Sequence, residues 1–279
     1  MRIALIQMCP DGPPSANLDR AVELMAQAGA GGAQLVAFAE LALSRFFPQY
    51  RADGRAGPPA EPIPGPTSQR IAEAAAAYRL VTVFNMYEDA GDGRRFDSSP
   101  VFDADGRLLG VTRMIHITDF AGFHERDYYH PGDTAAPVYD TAVGRVGVAI
   151  CYDRHFPEYM RALGLAGAQL VVIPQAGTVG EWPEGLYEAE VRTAAFQNGY
   201  FAALCNRVGK EDTLDFAGES FVVDPEGQIV AQAPRGREAI LFADCDLARC
   251  ATSTARRLFY RDRRPELYAR WFGSPPRPQ

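Results

Sequence analysis

Residues 145–158 read RVGVAICYDRHFPE. The first seven form an apolar, β-branched run of the kind that makes a buried strand, and the run stops at Cys151. Pro157 then opens a helix expected over 157–166, because proline at a first helical position has no N–H to lose. A second apolar run, QLVVI at 169–173, gives the next strand.

Working outward, the first half of the chain follows the same plan. A strand over 2–8 precedes a helix over 17–30, whose apolar stripe is Leu18, Ala21, Val22 and Met25. Gly29, Gly31 and Gly32 end that helix, and QLVAFA at 34–39 forms a strand that stops at Glu40. Residues 46–66 are rich in Pro and Gly and read as a loop. Thr67 or Ser68 caps a helix running to about Tyr78. Strands are expected at 80–86 and 98–103, with a turn at Asp103–Gly106 and a return strand over 107–114. Beyond 173 come a helix (184–198), a strand (200–205), and a hairpin (217–223 with 227–233) over Asp224-Pro225-Glu226-Gly227. A last strand, 238–244, leads into an Arg-rich tail.

Strands alternating with helices in both halves indicate an α/β protein with a layered core. No linker divides the halves, so residues 1–279 are expected to form a single domain. The tail, 255–279, is too short to fold alone and is expected to pack at a subunit interface.

The chain carries 28 Lys+Arg against 35 Asp+Glu, a net charge of −7, with no basic patch or polybasic anchor. Nucleic-acid and membrane partners are therefore not expected. Lys210 is the only lysine. Five widely spaced cysteines, with no CxxC pair, argue against both a disulfide framework and a zinc site. The N-terminal apolar run is too short for a signal peptide, and no stretch of about 18 apolar residues exists. A reduced, cytoplasmic protein is expected.

Cys151 stands where α/β proteins place reactive groups, at the end of a strand. The plainer alternative is a core thiol, which suits Cys205, Cys245 and Cys9 well. A nucleophilic thiol needs a partner base. Glu40 ends a strand in the same manner, and Glu125 lies in the polar, aromatic stretch FHERDYYHPGD. Taken alone, each of these carboxylates reads as a solvated loop charge.

Four segments in order, AFAELAL (37–43), TRMIHITDFAGFHERDYYHPGD (112–133), AICYDRHFPE (149–158), and CNRVG with GESFVVDPEGQIVA (205–209 and 218–231), resemble those of the nitrilase superfamily, the carbon–nitrogen hydrolases. The resemblance spans residue 2 to about 245. It implies a four-layer αββα sandwich whose subunits pair into a homodimer or higher homo-oligomer. It also implies a cofactor-free, metal-free reaction in which Cys151 attacks a nitrile or amide carbon and forms a thioester. Glu40 would be the general base, Glu125 the second glutamate, and the Tyr152 backbone N–H an oxyanion donor.

One position departs from that pattern. The family's lysine falls on Met114, whose thioether cannot donate. Losing one oxyanion donor costs on the order of 10²–10³ in rate. In an extended backbone Arg113 faces away from the site, whereas His116 shares the face of Met114. His116 is either a compensating donor or a structural histidine holding its loop.

Arg154, three residues past the cysteine, resembles the carboxylate-gripping arginine of N-carbamoyl amino acid amidohydrolases. Alternatively it pairs internally with Glu158. His155, Phe123, Tyr128 and Trp182 are candidates for lining the substrate pocket. The expected substrate is a small linear amide, an N-carbamoyl amine or an N-carbamoyl amino acid. The rival expectation is a non-catalytic member that binds a small molecule or a partner protein.

Overall fold

The computed structural model describes residues 1–53 and 57–273. Strands β1 (Arg2–Gln7), β2 (Leu35–Phe38), β3 (Val81–Val83), β4 (Met86–Asp89), β5 (Arg95–Phe102) and β6 (Leu108–Arg113) belong to the first sheet. The second holds β7 (Val138–Thr141), β8 (Gly144–Val148), β9 (Leu170–Gln175) and β10 (Phe201–Asn206). A separate two-stranded hairpin, β11 (Val208–Lys210) and β12 (Asp215–Ala217), follows. Then β13 (Phe221–Val223) and β14 (Ile229–Gln232) return to the second sheet, and β15 (Ala239–Asp244) crosses to the first. The strand orders are β15-β1-β2-β3-β5-β4, with β6 on β5, and β14-β13-β10-β9-β8-β7.

Helices α1 (Pro14–Ala30) and α2 (Pro66–Tyr78) cover the outer face of the first sheet, with Ala21, Met25, Ile71 and Ala75 fully buried against it. Helices α3 (Pro157–Leu165) and α4 (Leu186–Asn198) cover the second sheet through Met160, Leu163, Val191 and Ala195. The inner faces of the two sheets meet in one apolar cluster that includes Leu5, Ala37, Val83, Val148, Val172 and Ala203. The order of layers is helices, sheet, sheet, helices, the αββα sandwich expected. Parallel pairs β1–β2, β2–β3, β8–β9 and β9–β10 are buried on both faces, which is why their sequences are continuous apolar runs.

Several boundaries differ from the sequence reading. Helix α1 begins at Pro14, using proline at its first position. The run 80–86 breaks between β3 and β4, because Asn85 turns its side chain to the backbone N–H of Leu41 at 2.6 Å. β5 starts at Arg95 and so includes Asp97. β13 itself begins only at Phe221, although Ser220 O still accepts the Ala233 N–H at 2.7 Å and Gly218 bridges to Arg235, while Ala217 belongs to β12, which pairs with β11. In the tail, a π-helical turn at Ala255–Phe259 packs Phe259 on Phe196 of α4. Helix α5 (Ala248–Thr252) precedes that turn, and α6 (Pro265–Phe272) follows it with Trp271 and Phe272 exposed. Residues 274–279 of the tail lie outside the described residues.

Candidate active site

Cys151, Glu40 and Glu125 come from three separate loops and converge. The Cys151 Sγ and one carboxylate oxygen from each acid lie within 4.8 Å of one another. Glu40 and Glu125 are fully buried and Cys151 is 5% exposed.

Each is held by a local device. β8 ends at Val148, and Cys151 begins a 3-10 turn, Cys151–His155, with φ +43°. A left-handed non-glycine residue costs about 1–3 kcal/mol, so the surrounding packing must hold it. The Cys151 carbonyl accepts Arg154 Nη1 at 2.9 Å, and Gln175 Nε2, at the end of β9, donates to Cys151 Sγ at 3.3 Å. Tyr152 is the second residue of the 3-10 turn, where backbone N–H groups have no partner within the turn.

Glu40 follows β2 in a tight turn with Leu41 at φ +47°. Arg207, buried at the end of β10, donates Nη1 to the carbonyls of Glu40 (3.0 Å) and Leu41 (2.8 Å). Its other Nη reaches Ser44 O at 2.9 Å and the Glu211 carboxylate. Glu125 starts a short 3-10 turn, and its Oε2 accepts the Thr118 N–H at 3.4 Å.

Position 114 is an apolar wall. Met114 is fully buried in the same cluster as Cys151, Phe123 and Tyr129. Its carbonyl accepts Gly132 N–H at 2.7 Å, and a Cβ on Gly132 would stand 2.9 Å from that oxygen, so only glycine fits. Arg113 faces the other way, as expected, with a bidentate pair to Glu88 at 2.8 and 2.6 Å. Lys210 is exposed on β11.

Burial without a lysine governs the electrostatics. Desolvation, then the neighbouring Glu125, pushes Glu40 up to about 8. Glu125 and Asp97 are raised well above the carboxylate range, by burial first and by neighbouring carboxylate charge next. Burial and the same acids raise the Cys151 thiol as well. Burial thus disfavours charge on all three groups, so few of the buried acids ionise together. A thiol that passes its proton to a nearby carboxylate as it attacks is the chemistry this arrangement can do.

Residues 2–255 match the carbon–nitrogen hydrolase family. The chain belongs to that family. It is 33% identical to N-carbamoylputrescine amidase of Solanum lycopersicum, over 95% of this chain and 93% of that protein. It is 30% identical to citrullinase of Francisella tularensis, over 96% of both. A carbon–nitrogen hydrolase from Helicobacter pylori superposes with a TM-score of 0.86 at 27% identity, covering 97% of this chain and 98% of that one. The chain is an enzyme of the amidase type, acting on non-peptide carbon–nitrogen bonds.

The remaining residues expected at a carbon–nitrogen hydrolase site are distributed unevenly. Arg154 pairs through Nε with Glu190 on α4 at 3.4 Å, not with Glu158, because α4 packs over the 3-10 turn that carries it. It also donates to Gln175 Oε1 at 2.8 Å and lies over the Tyr187 ring at 4.5 Å. His155 binds the same Glu190 at 2.7 Å and meets Trp182 ring to ring at 5.4 Å. His116 is the loop-holding histidine: Nδ1 binds Asp153 at 2.7 Å and the ring stacks on Phe156 at 3.5 Å. Phe123 is buried against Phe46 and Phe120. Tyr128 packs with Phe47 and donates to Tyr50 O at 3.0 Å, in a separate aromatic group. No helix of the described residues is long and apolar enough to cross a membrane.

Sequence reasoning missed Asn85, Asp97, Gln175 and Arg207. Gln175 ends a strand as Cys151 and Glu40 nearly do, so the same strand-end rule could have found it. Asp97 lies inside β5, where no such signal marks it.

Proposed function

We propose that this enzyme hydrolyses an N-carbamoyl amine or a small primary amide whose far end is neutral or cationic. Cys151 Sγ attacks the carbonyl carbon and Glu40 takes the thiol proton. The tetrahedral intermediate collapses, the carbon–nitrogen bond breaks, and Glu40 returns the proton to the departing amine or ammonia. Water, deprotonated by Glu40, then cleaves the thiol-bound carbonyl. Glu125 packs against the reacting group and the Tyr152 N–H faces the oxyanion. The observation that carries this reading is the buried contact of Cys151 with Glu40 and Glu125.

The substrate preference rests on Arg154. Its charge is already balanced by Glu190 at 3.4 Å, and Nη1 is taken by the Cys151 carbonyl and Gln175, while Nε and Nη2 are buried without a hydrogen-bond partner, so the charge at this end is met before a substrate carboxylate arrives. Tyr187 and Trp182 also border a cavity of about 140 Å³ that carries Glu184, Glu188 and Glu219, the last paired with Arg235 at 3.1 Å. That lining favours a cationic tail over an anionic one. The names of the relatives, an N-carbamoylputrescine amidase and a citrullinase, agree with a carbamoyl group as the cleaved end.

The test is ammonia release from a panel of N-carbamoyl amines, ureido acids, linear amides and nitriles, with Cys151→Ala and Met114→Lys run beside the natural chain. Turnover of carbamoyl amines or amides that vanishes in Cys151→Ala supports the reading. Activity found only in Met114→Lys would mean that the natural chain is a binding protein.

A further inference from the structure

Asp97 has no role in the reaction so far, yet it stands at its centre. It is fully buried on β5. β5 pairs antiparallel with β6 in the register Ser98↔Arg113, and the next step brings Asp97 opposite Met114, whose N–H donates to the Asp97 carbonyl at 2.9 Å. Directly opposed residues of an antiparallel pair share a face. Ser98 and Arg113 both reach Glu88 on the outer face, so Asp97 and Met114 turn inward. Asp97 is therefore the cross-strand neighbour of the position where this family carries an ammonium.

Its two oxygens are used unequally. Oδ1 accepts Asn85 Nδ2 at 2.5 Å, and the same Asn85 fixes the Leu41 N–H beside Glu40 through its own Oδ1. Oδ2 is buried with no conventional donor, as are both oxygens of Glu40. The two carboxyl groups lie within hydrogen-bonding reach of each other. Two buried carboxylates in contact cannot both ionise, so one proton must be held between them. The other groups facing this pair are Glu125, Cys151, Asp153 and Tyr129, none of them cationic, with the Arg207 guanidinium acting on Glu40 from behind its carbonyl.

We propose that Asp97 is a positioning residue for Glu40: its neutral carboxyl, anchored at Oδ1 by Asn85, donates the acid proton from Oδ2 to the Glu40 carboxylate. A shared proton thus does what an ammonium at position 114 cannot do here, holding the base in place and offsetting its charge. The proposal rests on Glu40 being the base of the reaction above.

The experiment uses readouts that need no substrate. The rate of Cys151 alkylation by iodoacetamide is measured against pH for the natural chain, Asp97→Asn and Asp97→Leu, with thermal melts confirming folding. The infrared carbonyl band of un-ionised carboxylic acids is recorded at neutral pH for the natural chain and Asp97→Asn. Asparagine can still donate to Glu40 and leucine cannot. Asp97→Asn is expected to alkylate within a few-fold of the natural rate and to lose part of the neutral-acid band. Asp97→Leu is expected to fall by about 10- to 100-fold, the worth of one hydrogen bond to a charged group. An unchanged band in Asp97→Asn, equal slowing in both variants, or natural rates in Asp97→Leu would overturn the proposal. If Asp97→Leu does not fold, the Asp97→Asn rate and band decide alone. A natural chain that alkylates with this pattern yet turns over nothing would instead count against the proposed function.

Discussion

Gln175 and Cys151 are joined side chain to side chain: Nε2 of the amide donates to Sγ at 3.3 Å, while its Oε1 receives Arg154. The guanidinium thereby fixes which way the amide faces, and the amide fixes the thiol. Gln175→Leu removes both links and leaves Arg154 Nη1 with the Cys151 carbonyl alone, one of its N–H groups unmatched. Alkylation of Cys151 should slow by roughly 10-fold, with a stability loss of about 1–3 kcal/mol for the unsatisfied partner. Labelling rates and denaturant midpoints check this.

Met114→Lys places an ammonium among acids that now lack one. An opposite charge close by favours the ionised carboxylate, so Glu40 should titrate below its present value of about 8. A drop of roughly 1–3 pH units is the ordinary size of such an effect. The acid limb of kcat/KM for a primary amide should move down accordingly. A limb that stays in place would show that the lysine does not reach Glu40.

Glu40 also links stability to pH. In the native chain Glu40 keeps a proton, shared with Asp97, up to about 8, while an unfolded chain releases it near 4.5. The folded state therefore binds the extra proton between those values, and stability falls as pH rises through that window. Every pH step of one across the window removes about 1.4 kcal/mol. Glu40→Gln has no proton to lose, so its unfolding free energy should be flatter from pH 4.5 to 8 and exceed that of the natural chain above pH 8. Chemical denaturation at a series of pH values reads this directly.

Glu190 balances both Arg154 and His155. Glu190→Gln would leave the buried Arg154 charge uncompensated, a loss of about 3–5 kcal/mol in comparable buried pairs. The same change frees Arg154 for a carboxylate. Turnover of ureido acids in the ammonia assay should then rise relative to that of carbamoyl amines.

How much of this is legible in the sequence follows from what each residue needs from its neighbours. The parallel strands announce themselves because both faces are buried, as in QLVAFA and RVGVAIC. Glu40 and Cys151 sit just past such runs, where a sequence pattern has an edge. Asn85 and Asp97 have no edge: their meaning arises only when β4, β5 and the Glu40 turn are brought together. Arg154 is ambiguous for a related reason. Glu158 is near in sequence, whereas Glu190 is near only after α4 has packed over the 3-10 turn. The register of β5 against β6, which faces Asp97 with Met114, is likewise a property of the folded sheet.

The left-handed backbone at Cys151 bears on how an inert form of this enzyme is made. Alanine at that position removes the sulfur but keeps a Cβ in a conformation L-residues resist by about 1–2 kcal/mol. Glycine removes both. Cys151→Gly should therefore melt higher than Cys151→Ala once the difference in buried methyl surface is allowed for, and would be the sturdier trap for crystallising an uncleaved substrate. A reactive side chain and a relaxed backbone are thus alternatives at this one position.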